Sequence, residues 1–467
     1  MATIAGSQFS AAANPPYTGG VEIGFYSNGS APAANPSATI FNLEVFVGSD
    51  GNAPPIQSGY QGLAVLSPSG TQLDLISGAF AVTDNGSGGD VINAEGQFET
   101  ISGGSAAVTL QIFGSNDTAN GGAGNDVINV YGGANTVNPG GGNDYVNVFN
   151  NFDLVTAGTG SDTITAVGNS ETIVGSAGSS VITVIGNTES VSGGTGNSLI
   201  SLTGNNSAVF AGSGSDTIAV SGTDDTVNGG TGSGSVVINV SGSANLLTGG
   251  SGSGSDTLNA FGTADTVDGG TGSGADDIGL YSNSEVAVGG AGPDNIAVYG
   301  YGDSVTGGAG PDTVNVFSGG DSITGGGGAD IINVYDSTDT ITSGSGADSI
   351  TVYGSSDAIN LSGNDTANLF GNADTVTAGF AAGANTATVN VSGSTNFLFV
   401  DGPSTYNDTV VGFSQSSGDT IHLTGGDTTS FALTHASSSA SGTLITLNDG
   451  STIFLAGVTS IGGNFFS

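Results

Sequence analysis

Residues 121–129 read GGAGNDVIN, and much of the chain repeats this nonapeptide. Glycine holds the first, second and fourth places, an acid the sixth and a large apolar residue the eighth. Gly121, Gly122 and Gly124 allow positive φ, so the segment reads as a tight turn leading into a strand. The acid, Asp126, recurs in phase. Asp144 and Asp162 follow at steps of 18; Ser180 and Ser198 hold the next places, and Asp216 restores the acid. Steps of 20 pass through Val236, Asp256 and Asp276. Steps of 18 resume through Asp294, Asp312, Asp330 and Asp348, and Asp365 follows at 17. Towards the N-terminus Asp90 and Val108 keep the phase, and an irregular last copy falls near Ala387.

Two residues after the acid comes an apolar row that includes Ile128, Val146, Ile164, Ile182 and Ile200; two further on comes another that includes Val130, Val148 and Val184. Period-two alternation marks a strand with one buried face. The second half of each unit, such as YGYGDSVTG at 299–307, carries its own acid row, among them Asp303, Asp321, Asp339 and Asp357. One unit is therefore turn, strand, turn, strand. A helix is excluded, because glycine at this density costs about 1 kcal/mol per residue in a helix interior. The expected fold is all-β: a parallel β-roll or β-solenoid of 18–20-residue coils, with small β domains at both ends. The longer turns GGTGSGSV (229–236), GGSGSGSD (249–256) and GGTGSGAD (269–276) read as loop insertions that keep the strands in phase. The expected boundaries are 1–84 for an N-terminal β domain, capping or assembling; 85–400 for the roll; and 401–467 for a C-terminal β cap.

Charge points to what the turns hold. The 467 residues include 40 acids, no Lys and no Arg, for a formal charge of −40. Self-repulsion on that scale opposes compaction, so protons or metal cations must offset it. Ca²⁺, a hard cation that takes carboxylate and carbonyl oxygens, is the natural candidate. The same balance argues against nucleic acid and against anionic membrane surfaces. No apolar run reaches the length of a membrane span, so membrane insertion is not expected. Cys is absent, which excludes disulfides and thiolate metal sites. The N-terminus has neither a basic nor an apolar signal-peptide region.

The candidate calcium ligands are the turn glycines Gly121, Gly122 and Gly124 with the first-half acids Asp126, Asp144, Asp162, Asp216, Asp256, Asp276, Asp294, Asp312, Asp330, Asp348 and Asp365. Glycine turns aim carbonyls inward, the acid adds a carboxylate, and stacked coils reach six or more oxygens. The other reading is a turn residue bonding its own backbone. Both readings also stand for the second-half acids Asp303, Asp321, Asp339 and Asp357. An aromatic row, Tyr131, Phe149, Phe261, Tyr281, Tyr299, Phe317, Tyr335 and Tyr353, is either an interaction stripe or a stacked ladder. The two histidines, His422 and His435, stand outside any metal or catalytic pattern. The acids recur along the chain rather than meeting in one pocket, so no enzyme is expected.

On these motifs the chain resembles the RTX family of secreted bacterial proteins, whose β-rolls bind several Ca²⁺ at such turns. Residues 408–424 and 446–457, with the ending GNFFS, resemble the segment and apolar tail of type I secretion substrates. The resemblance implies a C-terminal secretion signal and a secreted, extracellular or cell-surface location. Departures are the second-half turns, which lack the glycine pair, and positions 180, 198 and 236, which lack the acid. The expected function is a structural protein that folds on extracellular Ca²⁺ and self-assembles into a layer, filament or matrix. The alternative is a monomeric adhesin for a glycan, a surface or ice. The expected partners are further copies of the chain and a surface polysaccharide.

Overall fold

A computed structural model describes residues 21–26, 41–46, 62–65, 72–75, 81–84, 89–378, 386–400, 406–423 and 426–467. It divides into two compact units, Met1–Thr226 and Val227–Ser467.

In Met1–Thr226, strands stack in parallel into two ladders. One runs through Val127–Val130, Tyr145–Val148, Thr163–Val167, Val181–Ile185 and Leu199–Thr203, pairing Ile128 with Val146, Val146 with Ile164, Ile164 with Ile182, and Ile182 with Ile200. The other runs through Thr118–Gly122, Thr136–Gly141, Leu154–Thr156, Thr172–Val174 and Ser190–Ser192. Alternate side chains turn inward, and Ile128, Val130, Val137, Val146, Ile164 and Ile173 are fully buried between the ladders. Each coil is too thin to bury its apolar face alone; stacking does it.

Val227–Ser467 is built the same way. Ile238 pairs with Leu258 and Leu258 with Ile278 across the 20-residue coils, so the two extra residues lie in the turns and leave the register intact. Eighteen-residue coils then run through Ile296, Val314 and Ile332.

The coils begin earlier and end later than the sequence suggested. Residues 1–84 were expected to form a separate β domain. Their described strands instead stack in parallel: Val21–Tyr26 on Phe41–Phe46, then Gly62–Val65, then Ala81–Asp84, then Thr100–Ser102. The partners Val21 and Phe41 are 20 residues apart, and Gly62 and Ala81 are 19 apart, without a glycine-rich turn to mark the phase. At the other end, parallel pairing passes residue 400: Phe397–Val400 pairs Thr420–His422, and Thr388–Val391 pairs Asn407–Val411. Only then does the topology change. Thr452–Ala456 pairs Asn407–Val411 in parallel and Gly442–Thr446 antiparallel, and Ala436–Ser439 closes the hairpin. A short helix, Thr429–Thr434, lies within this end segment. The antiparallel strands cover an edge that would otherwise template further pairing.

Candidate metal centre

The first-half acids form a hydrogen-bonded row along each unit. The N–H of Asp126 donates to Oδ1 of Asp144 at 2.7 Å, and that of Asp144 to Asp162 at 2.9 Å. In Val227–Ser467 the row runs from Val236 through Asp256, Asp276, Asp294, Asp312, Asp330 and Asp348 to Asp365, each step 2.7–3.0 Å. The bond reaches the neighbouring coil, not the residue's own turn. This departs from the simple turn reading of these acids. Each is buried, Asp126 with none of its surface exposed.

One oxygen of each carboxylate is thus committed, and on many of them the other is bare. Oδ2 of Asp126, Asp144, Asp294, Asp312 and Asp330 is buried without a hydrogen-bond partner. The turn glycines leave room beside it. A Cβ on Gly121 would stand 2.4 Å from both Asp126 Oδ2 and the carbonyl oxygen of Pro139 on the next coil. A Cβ on Gly307 would stand 2.7 Å from Asp312 Oδ2 and 2.3 Å from Gly325 O; on Gly325, 2.6 Å from Asp330 Oδ2 and 2.1 Å from Ser343 O. Each such glycine therefore marks a cradle where a carboxylate and a carbonyl converge. Gly122 has φ +120°, and a Cβ on Gly124 would meet the Ala106 carbonyl at 2.4 Å, so all three motif glycines are sterically required.

Not every candidate turn is alike. Asp256 Oδ2 accepts the N–H of Gly250 at 2.6 Å. Asp365 Oδ2 accepts from Ser343 Oγ, Ser362 N–H and Gly363 N–H at 2.8–3.0 Å. In these two turns protein donors already satisfy that oxygen. Asp162, Asp216, Asp276 and Asp348 are buried in the same row.

The second-half turns carry a parallel row. The N–H of Glu285 donates to Asp303 Oδ1, then Asp303 to Asp321, Asp321 to Asp339 and Asp339 to Asp357, all at 2.7–2.8 Å. Oδ2 of Asp303, Asp339 and Asp357 is buried and bare, while Asp321 Oδ2 accepts from Ser318 Oγ at 3.1 Å. The row also contains Glu99, Asp117, Asp153, Glu171, Glu189, Asp265 and Asp374, all buried. The acid row read from the sequence reaches Asp265 and Asp374 but not Glu99, Asp117, Asp153, Glu171 and Glu189. Their signal is a residue in left-handed conformation just before each acid, as at Phe98, Asn116, Phe152, Ser170, Thr188, Ala264 and Ala373. Side-chain identity at those places does not reveal it.

Burial raises the carboxyl pKa values. Desolvation is the largest cause throughout; donated backbone N–H groups oppose it and neighbouring carboxylates add to it. Asp126, Asp162, Asp276, Asp303, Asp312 and Asp348 are pushed to about 6, and Asp294 and Asp339 to about 7. Glu99, Glu171 and Glu285 reach about 8. A buried row of this kind takes up protons or a hard cation.

Among the described residues, no three His, Cys, Asp or Glu side chains converge. A cation in these turns therefore takes a single carboxylate per turn and fills its shell with backbone carbonyls. That donor set is all oxygen, which fits Ca²⁺ and not a soft metal. The residues fit the group: Asp126, Asp144, Asp294, Asp312 and Asp330, with carbonyls such as those of Pro139, Gly325 and Ser343, would hold it. Bound there, Ca²⁺ supplies positive charge that screens the acid rows and ties one coil to the next.

The family described as the RTX calcium-binding nonapeptide repeat (4 copies) matches residues 113–146, 149–182, 203–236, 241–275, 288–316, 298–332 and 315–350. These repeats are calcium-binding and provide for multiple Ca²⁺ ions. Comparison with curated proteins gave no match.

Proposed function

Because this chain is an RTX-type repeat protein, we propose that it is a secreted structural protein that folds on extracellular Ca²⁺ and self-assembles into a cell-surface layer, filament or matrix. The observation that carries this reading is the pair of buried acid rows, in which most acids commit one carboxylate oxygen to the preceding coil and many leave the other bare, in a chain without Lys or Arg. Where free Ca²⁺ is scarce, repulsion among the 40 acids keeps the acid-rich coils open and the chain exportable. Outside, Ca²⁺ at the affinity of extracellular modules, about 10⁻⁴–10⁻³ M, binds only the coiled form and stabilises it.

The role is structural rather than catalytic. The buried acids are spaced one per turn and are tied to the coil behind, which suits a repeating scaffold. The exposed aromatic rows are the stacked ladder of the two readings above. Phe113, Tyr131 and Phe149 stack at 4.9–5.5 Å, and Phe261, Tyr281, Tyr299, Phe317, Tyr335, Tyr353 and Phe370 at 4.7–5.3 Å. Their faces are spent on one another, which leaves ring edges towards solvent and favours assembly over sugar stacking.

The test is electron microscopy and light scattering of the purified chain as Ca²⁺ is added. Ordered arrays or fibres above the folding threshold support the reading. A calcium-loaded protein that stays monomeric at all concentrations and binds an immobilised glycan shifts it to an adhesin.

A further inference from the structure

Between the acids Asp162 and Asp216, serine replaces the first-half acid at 180 and 198, and each hydroxyl closes its own turn. Ser180 Oγ accepts the N–H of Ser176 at 2.9 Å and pairs with the Ser176 hydroxyl at 2.9 Å; Ser176 Oγ donates to the Gly160 carbonyl at 2.8 Å. Ser198 Oγ donates to the Gly193 carbonyl at 2.8 Å. Nothing in these two turns waits for a cation.

Three further features set the stretch apart. Its first-half strands are longer and richer in β-branched residues. TITAV, VITVI and LISLT pair over five positions, whereas the strands around Ile296, Val314 and Ile332 pair over four. Its second-half turns carry an amide ladder: the N–H groups of Asn169, Asn187 and Asn205 donate to Oδ1 of Asn151, Asn169 and Asn187 at 2.8–2.9 Å. Its charge is low. Residues 163–211 contain two acids, Glu171 and Glu189, whereas the equally long segment 292–340 contains seven. Oε1 of both glutamates is buried and bare, but burial raises their pKa values, to about 8 and about 7, so that a proton can satisfy each without metal.

We propose that residues 163–211 are a metal-independent nucleus, which stays coiled without calcium and templates closure of the calcium-dependent turns at Asp126, Asp144 and Asp162. The inference rests on the calcium reading only for those flanking turns. A preformed strand Thr163–Val167 presents open N–H and C=O groups on which Tyr145–Val148 pairs in register. Solenoid folding then spreads from neighbour to neighbour without a second nucleation.

Hydrogen exchange of the full chain, read by peptide in metal-free buffer and in calcium, tests this. The nucleus predicts that in metal-free buffer amides of Val181–Ile185 and Leu199–Thr203 exchange on the order of a hundredfold more slowly than those of Asn295–Val298 and Thr313–Val316. It also predicts that calcium removes the contrast. Uniform fast exchange without metal, with protection restored everywhere by calcium, overturns the nucleus and leaves the calcium reading intact. Uniform protection without metal overturns both. The double variant S180A/S198A reports the hydroxyls: its protection in metal-free buffer is expected to fall at least about tenfold while protection in calcium holds. Unchanged protection in metal-free buffer would overturn their part.

Discussion

The N–H of Asp294 donates to Oδ1 of Asp312 at 2.8 Å, one coil further on, and Oδ2 of Asp312 is left buried and bare. One carboxylate thus does two jobs. Oδ1 fixes the stacking of coils, and Oδ2 offers charge beside the Gly325 carbonyl. The two jobs separate by substitution.

Asp312→Asn keeps an oxygen acceptor for the Asp294 N–H and removes the charge. The expected outcome is a folded protein with a weaker calcium response at that turn. Asp312→Ala loses the acceptor too and leaves a buried N–H unpaired, at about 1–3 kcal/mol. Thermal unfolding in saturating calcium and in metal-free buffer separates them. Asn should narrow the gap between the two conditions, and Ala should lower both.

Gly307→Ala places a Cβ into the cradle, 2.3 Å from the Gly325 carbonyl and 2.7 Å from Asp312 Oδ2. Backbone cannot yield that much, so the variant should lose several kcal/mol in calcium, in the range of the severe single substitutions. Gly302→Ala is the control. Its φ is +74° with nothing within 4 Å, so only the backbone conformation is strained, at about 1–2 kcal/mol. Equal losses in the two variants would mean that the carbonyl and the carboxylate do not converge on Gly307 as described.

Thr338 stands just before Asp339 with φ +74°, which is costly for a β-branched residue. Thr338→Gly should stabilise the coil by about 0.5–1 kcal/mol, the relief of strain exceeding the entropy cost of glycine. Calorimetry in calcium checks the sign.

Metal-free protein should be more stable in mild acid. Glu99, Glu171 and Glu285 have folded pKa values raised from 4.5 to about 8 by burial. A raised folded pKa means the folded form holds protons that the unfolded form releases. The stabilising contribution is complete below pH 4.5 and disappears as pH rises to about 8. Circular dichroism in metal-free buffer should show more β signal at pH 5 than at pH 8. With calcium the order reverses, since protons compete for the carboxylates and raise the calcium concentration needed.

The repeat was legible because Asp126, Ile128 and Val130 recur at a fixed interval and a solenoid maps interval directly onto register. The early coils were not, because the offsets from Val21 to Phe41 and from Gly62 to Ala81 differ and no glycine motif marks them. The candidate first-half acids could be read from GGxGxD. Their bond to the neighbouring coil could not, since a turn acid reads the same whether it caps its own backbone or another's. Glu99, Glu171 and Glu189 escaped because the left-handed residue before each is Phe98, Ser170 or Thr188, none of which advertises positive φ.

The central claim is that calcium, by supplying the charge that the bare acid oxygens lack, drives coiling. Circular dichroism during a titration from metal-free buffer to about 10 mM Ca²⁺, with Mg²⁺ as control, tests it most directly. The account predicts a cooperative gain of β signal with Ca²⁺ and little response to Mg²⁺. A β signal already complete in metal-free buffer at neutral pH would contradict it.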